Sequence, residues 1–417
     1  MSKSGGFSSA ARAVREKNFR LYIVGHTVAW VGSWMFRMAL SWVVWELTKS
    51  AAWLGAIAFI NLIPSVVISP IAGAMADRMD RLRMLSSTQV VMIVHAVSLS
   101  ALIYLDLVTI EVLAVFALVH GIVDSVQAPA SHAIVPMLVP TGDLVAAYAI
   151  NSTSFNVTRF VGPAITGVVI TGWGSDVAIF CNAIGCLIFF VCIVRMEPLK
   201  SEVQSKHDRK MLDDLRNGFT YAARHRGIGP VMAVLIALSF LTFHLYQFMP
   251  AFADPIFHAG ANGLAWLLAA MGIGAVLQGL VMVRRSGIEG MTGSIVFYIV
   301  MTGGAVIAVT ATSIYWVGVV AMVVVGYFMS GTRLGAMTLI QHAVAGEMRG
   351  RVVSFYSTIT HVCPACGALA VGLVAEWFGI RPTIAGCGLL AIGVGLWAAR
   401  RHASIRDALE GPRGTVA

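Results

Sequence analysis

Charge is scarce in this chain. Lys, Arg, Asp and Glu make up only 12% of its 417 residues while hydrophobic residues make up 58%, a balance that leaves too little polar surface for a water-soluble protein. Acids are scarcer than bases, 20 against 29. The six cysteines, Cys181, Cys186, Cys192, Cys363, Cys366 and Cys387, all lie within apolar runs and none forms a spaced pair in a polar loop, which excludes a disulfide framework and suits small packing residues. A G-x-x-x-x-G-K-[ST] phosphate loop is absent, so ATP-driven work by this chain has no support, and no cofactor is expected. The polar start of the chain runs into an apolar stretch too long for a signal peptide and without a small-residue cleavage site, so no cleavable leader is expected.

What remains is a series of apolar runs. At about 20 residues per membrane-spanning helix, the pattern predicts an all-α integral membrane protein with twelve spans: 21–45, 53–75, 85–105, 111–131, 144–171, 177–196, 228–253, 262–283, 292–312, 314–338, 351–378 and 380–399. The polar stretch Glu197 to Arg226 divides them six and six. The expected organisation is an N-terminal six-helix bundle over 1–196, a cytoplasmic linker over 197–227, and a C-terminal six-helix bundle over 228–417. Leu212, Leu215, Phe219 and Ala222 recur at helical spacing in the linker, which predicts an amphipathic helix on the inner membrane surface. Two such bundles suggest rocking about a midplane cavity. The bases cluster in alternate loops, before span 1, after spans 2 and 6, and at the C-terminus, leaving only Lys49 and Arg381 on the other side. That distribution assigns the net charge of +9 to the positive-inside rule rather than to nucleic acid, and puts both termini in the cytoplasm.

An ionisable side chain at bilayer depth costs about 2.5–3.5 kcal/mol on insertion scales. Among the acids only Asp124 falls in mid-span; Arg37, Arg159 and Arg333 are the comparable bases. His120 lies one helical turn before Asp124, so the two share a face. A carboxylate there needs a proton or a nearby cation, and Arg37 or Arg159 could supply the cation. Three readings are open: a proton-coupling group, a static ion pair bracing spans 1, 4 and 5, or a substrate contact. His95, His244 and His342 read as hydrogen-bonded bundle residues. Trp34 and Tyr246, within aromatic-rich spans 1 and 7, are candidates with Arg333 to line a cavity for an amphiphilic organic substrate. His361, Cys363 and Cys366 read either as soft-metal contacts exposed where Pro364 unwinds the helix, or as packing around a kink; a zinc site needs about four ligands, and no second cluster is present. A membrane enzyme using His120 and Asp124 as an acid/base pair and a non-transporting scaffold are the readings outside transport.

The stretch PIAGAMADRMDRLRML, Pro70 to Leu85, is a short charged turn between two spans. Gly73 would admit close backbone approach, and Asp77 could accept hydrogen bonds from a helix N-terminus. Gly73, Asp77, Arg78 and Arg81 fit the form G-x-x-A-D-R-x-D-R. Span 5 carries Asn151-Ser152, Asn156, Arg159 and Gly162-Pro163 in the order N-S-x-x-x-N-x-x-R-x-x-G-P. Arg349-Gly350-Arg351-Val352 precedes span 11, and Gly367-Ala368-Leu369 lies within it. Together these motifs resemble the major facilitator superfamily, in its siderophore-exporter (enterobactin-exporter-like) and multidrug-efflux branch. The resemblance implies the major facilitator fold, and conformational-switch roles for Gly73, Asp77, Arg78, Arg81, Gly162 and Pro163. It implies that Arg159 lines or braces the cavity, with Asn151 and Asn156 beside it. The chain departs from the branch over Gln127 to Ser131, where the usual Asp or Asn and Arg are missing. The expected function is secondary transport rather than enzymatic catalysis: export of a small amphiphilic organic substrate, siderophore or drug-like, across a bacterial inner membrane by alternating access, with protons as the coupling ion and the lipid bilayer as the surroundings.

Overall fold

A computed structural model describes residues 4–197, 220–221, 225, 227–285, 287–344 and 348–410, and the side chains of Asp77, Arg78 and Asn156 lie outside the described set. Leu212, Leu215, Phe219 and Ala222 of the expected linker helix also lie outside it. The described residues are helical, without strands. Ten of their helical segments are long and apolar enough to cross a membrane. Helices α2 (Lys17–Thr48) and α7 (Leu144–Trp173), at 32 and 30 residues, are longer than any of these. They carry polar side chains along their length: His26 and Arg37 in α2, and Asn151, Ser152 and Arg159 in α7. The protein is an all-α multi-pass membrane protein.

Two expected spans are interrupted. The run 53–75 forms α3 (Ala51–Leu62) and α4 (Pro64–Arg78), because Pro64 has no N–H and takes the first turn of a new helix. The run 228–253 forms α9 (Ile228–Leu241), a 3-10 turn (Leu245–Phe248) and the single turn α10 (Pro250–Ala253), with Pro250 again at the break. Pro163 and Pro364, by contrast, sit within continuous helices, α7 and α14 (Arg349–Phe378). The unwinding expected at Pro364 is therefore corrected.

The chain divides into two compact units, Met1–Lys49 with Ile60–Lys206, and Ser50–Phe59 with His207–Ala417, so the division falls inside α3. In the first unit α2 packs along α7 and α8 (Ser175–Val194), α5 (Arg81–Tyr104) packs on α8 and α6 (Ile110–Leu138), and α4 packs on α6. Its core holds Phe19, Tyr22, Leu85, Ile134 and Phe189. The short α1 (Ser4–Arg15) is tied down by Arg12, whose Nη2 donates to Asp143 Oδ1 at 2.7 Å and whose Nε donates to Oδ2 at 3.2 Å. Asp143 closes the 3-10 turn between α6 and α7. At the charged turn the N-cap of α5 is Asp80, whose Oδ1 accepts from Leu82 N–H at 2.9 Å. Among the described residues outside its own helix turn, nothing lies within 4 Å of a Cβ built on Gly73.

In the second unit, α11 (Gly260–Arg284) packs on α13 (Tyr315–Ala343), α12 (Met291–Ala311) packs on α13 and α15 (Ile380–Arg400), and α9 packs on α14. The last helix, α16 (His402–Leu409), leads into Glu410, whose carboxylate accepts from Gly290 and Thr292 N–H groups at 2.6 Å each and so caps the start of α12. Arg381 does the converse at the other end of α12, donating to Thr310 O at 3.0 Å.

Candidate functional site

The mid-helix charges of the first unit meet. Asp124 is in the middle of α6, and its Oδ2 accepts from Arg37 Nη2 of α2 at 2.8 Å. Of the two arginines considered for it, Arg37 supplies the cation. The side chains keep 22% exposure for Arg37 and 46% for Asp124. A carboxylate so uncovered at membrane depth carries a cost if it faces hydrocarbon, so the pair favours a wetted path.

His120 does not join Asp124 directly. It is 1% exposed and its ring stacks on Phe36, centroids 4.4 Å apart. The bridge is Asn61, near the end of α3. Its Oδ1 accepts from Arg37 Nη1 at 3.5 Å, and its Nδ2 donates to Ala117 O at 3.0 Å and lies 3.1 Å from His120 Nδ1. Beyond His120, at 5.8 Å between ring centroids, lies His95, whose Nε2 is 2.9 Å from Phe116 O. Asn61 fits here because Gly121 of α6 lets the helices touch: a Cβ on Gly121 would overlap the Asn61 carbonyl oxygen.

A second set of contacts runs along α2. Arg37 and Arg159 both lie over the Trp34 indole, with guanidinium carbons 5.9 and 5.5 Å from the ring centroid. Phe155 stands 6.4 Å from Trp34 and edge-on to Trp30 at 5.1 Å; Trp30 stacks on His26 at 3.9 Å. His26 Nδ1 in turn lies 2.8 Å from Tyr22 Oη. Gly162 admits this packing, since a Cβ there would press on Trp34 Cβ. Asn151 Oδ1 is buried without a hydrogen-bond partner, and the Asn156 side chain lies outside the described residues. Arg81 contacts Met137 of α6.

The candidates of the second unit form their own group. Arg333 lies over the Phe243 ring at 5.1 Å, and its carbonyl accepts from Tyr356 Oη at 3.2 Å. Tyr246 Oη accepts from Gln247 Nε2 at 2.9 Å. His361 Nδ1 bonds the Ser357 carbonyl at 2.8 Å in the manner of an ordinary helix side chain. Among the described residues no three His, Cys, Asp or Glu side chains gather as a metal site, and Cys363 and Cys366 are free thiols.

Asn61, Phe36 and the His26–Trp30–Phe155 stack were absent from the sequence-based set. The available signal for Asn61 was an amide in an apolar run three residues before a proline.

A multi-pass helical bundle with a charge pair and arginine-flanked aromatics at mid-helix is an arrangement suited to membrane transport. The chain belongs to the transmembrane secretion effector family of major facilitator transporters, whose profile matches residues 8–408. It is similar to a staphyloferrin A transporter of Staphylococcus aureus, 24% identical over 364 residues that cover 87% of this chain and 90% of that one. It is also similar to macrolide efflux protein A of Streptococcus pyogenes, 22% identical over 382 residues covering 89% and 93%. The solved nucleoside transporter NupG shares the fold, with a TM-score of 0.72 at 13% identity over 92% of this chain and 98% of that one. The siderophore and drug branch expected from the motifs is represented among these relatives, and the protein is a membrane transporter.

Proposed function

We propose that the protein exports a small amphiphilic organic compound, siderophore or drug-like, by alternating access, and that protons moving inward drive it. The observation that carries this reading is the Arg37–Asp124 pair: a mid-helix carboxylate, nearly half uncovered, that has one cation to hold and one proton to take in its place. Exchange of that cation for a proton gives a site two states of different charge, which is what coupling requires. Aromatic faces at Trp30, Trp34 and Phe155, with guanidinium groups of Arg37 and Arg159 over the indole, suit a flat apolar body with a polar or anionic substituent. The alternation of basic loops supports an inner-membrane orientation with both termini cytoplasmic.

The test is uptake into inverted vesicles carrying the wild type or Asp124→Asn, with a macrolide and staphyloferrin A as probes, with and without an imposed pH gradient, acid inside. Gradient-driven movement of either probe by the wild type and its loss in Asp124→Asn supports the reading. Movement that ignores the gradient contradicts it.

A further inference from the structure

We propose that Asn61 is a positioning residue that makes protonation of His120 and anchoring of Arg37 mutually exclusive; this rests on the proton-coupled reading above. The amide is oriented twice over by partners with only one role each. A guanidinium has donors alone, so Arg37 Nη1 requires the Oδ1 side; a backbone carbonyl accepts alone, so Ala117 O requires the Nδ2 side. One N–H of Asn61 goes to Ala117, and the other faces His120 Nδ1 at 3.1 Å. That ring nitrogen therefore presents its lone pair, and the neutral imidazole carries its hydrogen on Nε2.

An imidazolium carries hydrogens on both nitrogens. A proton taken from water at Nδ1 would set N–H against N–H, in a place where His120 is 1% exposed and an unmet donor costs about 1–3 kcal/mol. Relief comes from turning the amide over, which gives Oδ1 to His120. The same turn takes Oδ1 from Arg37, presents an N–H to the guanidinium instead, and leaves the Ala117 carbonyl without its donor. Arg37 then keeps Asp124 and the Trp34 ring face from the present set. The absence of a side chain at Gly121 is what lets the Asn61 backbone come this close to α6, since a Cβ there would overlap the Asn61 carbonyl.

The groups around His120 leave the amide as the partner that decides. Phe36 of α2 covers the ring face, and Arg37 of the same helix is reached through Asn61. His95 of α5 gives its Nε2–H to Phe116 O and has a buried Nδ1 without a hydrogen-bond partner. Asp124 of α6 lies one turn on and is held by Arg37. Asn61, like Arg37, Ala117 and His120, belongs to the first unit.

The experiment is nitrogen NMR of the full-length protein in lipid nanodiscs, labelled at His and Arg, with His120→Gln used to assign the His120 signals. The expected result is a His120 with unprotonated Nδ1 at neutral pH, and an Arg37 side-chain signal that moves with the same midpoint as His120 when it titrates. In Asn61→Leu, His120 still titrates and Arg37 no longer follows it. A wild-type His120 with hydrogen on Nδ1 at neutral pH overturns the proposal without any variant having to fold. An Arg37 signal that ignores His120, or that follows it equally in Asn61→Leu, also overturns it. If Arg37 follows His120 through Asn61 while vesicle uptake ignores the pH gradient, the amide linkage stands and the proton-driven reading fails instead.

Discussion

Arg37 and Asp124 join α2 to α6 through a 2.8 Å contact in which the acid is the more exposed partner, 46% against 22%. The carboxylate is nearly half exposed, while the guanidinium is also held by Asn61 and Trp34. The two charges should therefore depend on each other more than on the surrounding bundle. Arg37→Gln alone leaves an unpaired carboxylate at membrane depth, and Asp124→Asn alone leaves an unpaired cation. The double variant removes both faults. We expect the double variant to lose less stability in detergent than the two single losses added together, the difference being a coupling of about 0.5–3 kcal/mol. Additive losses would show that the residues do not act as a pair.

Glycine at 121 carries the contact that glycine at 73 lacks. Gly121→Ala would drive a methyl group into the Asn61 carbonyl, and overpacking of this kind costs about 1–3 kcal/mol; the expected result is a lower melting temperature together with reduced efflux. Gly73→Ala, with open space around it, is expected to leave the melting temperature unchanged. Equal effects on stability would contradict this assignment of the close helix approach.

The Arg12–Asp143 contact fastens α1 to the turn between α6 and α7, and it has a pH dependence of known sign. The hydrogen bond from Arg12, aided by its charge, holds the Asp143 carboxyl below its ordinary value. A carboxyl lowered by folding contributes stability above its unfolded value, near 3.9, and loses it as pH falls through the folded value. Hydrogen exchange in α1 should therefore stay slow at neutral and mildly acid pH and speed up only below that range. In Asp143→Asn it should be fast throughout. Protection of α1 that does not change in Asp143→Asn would remove this contact as the fastening.

How much of this could be read from the sequence depends on the distance over which each feature acts. Asp124, Arg37 and Arg159 were legible because a charge in an apolar run is costly wherever it points. Their pairing was not, since it depends on how α2 and α6 are rotated, and the sequence left Arg37 and Arg159 equal candidates for Asp124. Asn61 was missed because one amide in an apolar run has no charge to announce it, and its role comes wholly from Arg37, Ala117 and His120 on other helices. Breaks at Pro64 and Pro250 coincide with prolines that lack an N–H, yet Pro163 and Pro364 lie within unbroken helices, so proline alone does not decide. The N-cap of α5 at Asp80 was not singled out in the sequence because which acid of a charged turn caps a helix depends on where that helix begins.

At the far end of the chain, Glu410 occupies the start of α12 with both carboxylate oxygens. Replacing a helix cap typically costs about 0.5–2 kcal/mol. Glu410→Ala is expected to lower the melting temperature and to expose α16 to proteolysis, while Glu410→Asp recovers part of the loss. A fully stable Glu410→Ala protein with α16 still protected would show that the docking relies on Ile405 and Leu409 instead.

The most direct test of the coupling claim is proton exchange by the purified protein in weakly buffered detergent as a macrolide or staphyloferrin A is added, across a range of pH. The account predicts proton release or uptake linked to binding, present in the wild type and lost in Asp124→Asn. Binding of either compound with no proton exchange at any pH would contradict it and return Arg37 and Asp124 to a structural ion pair.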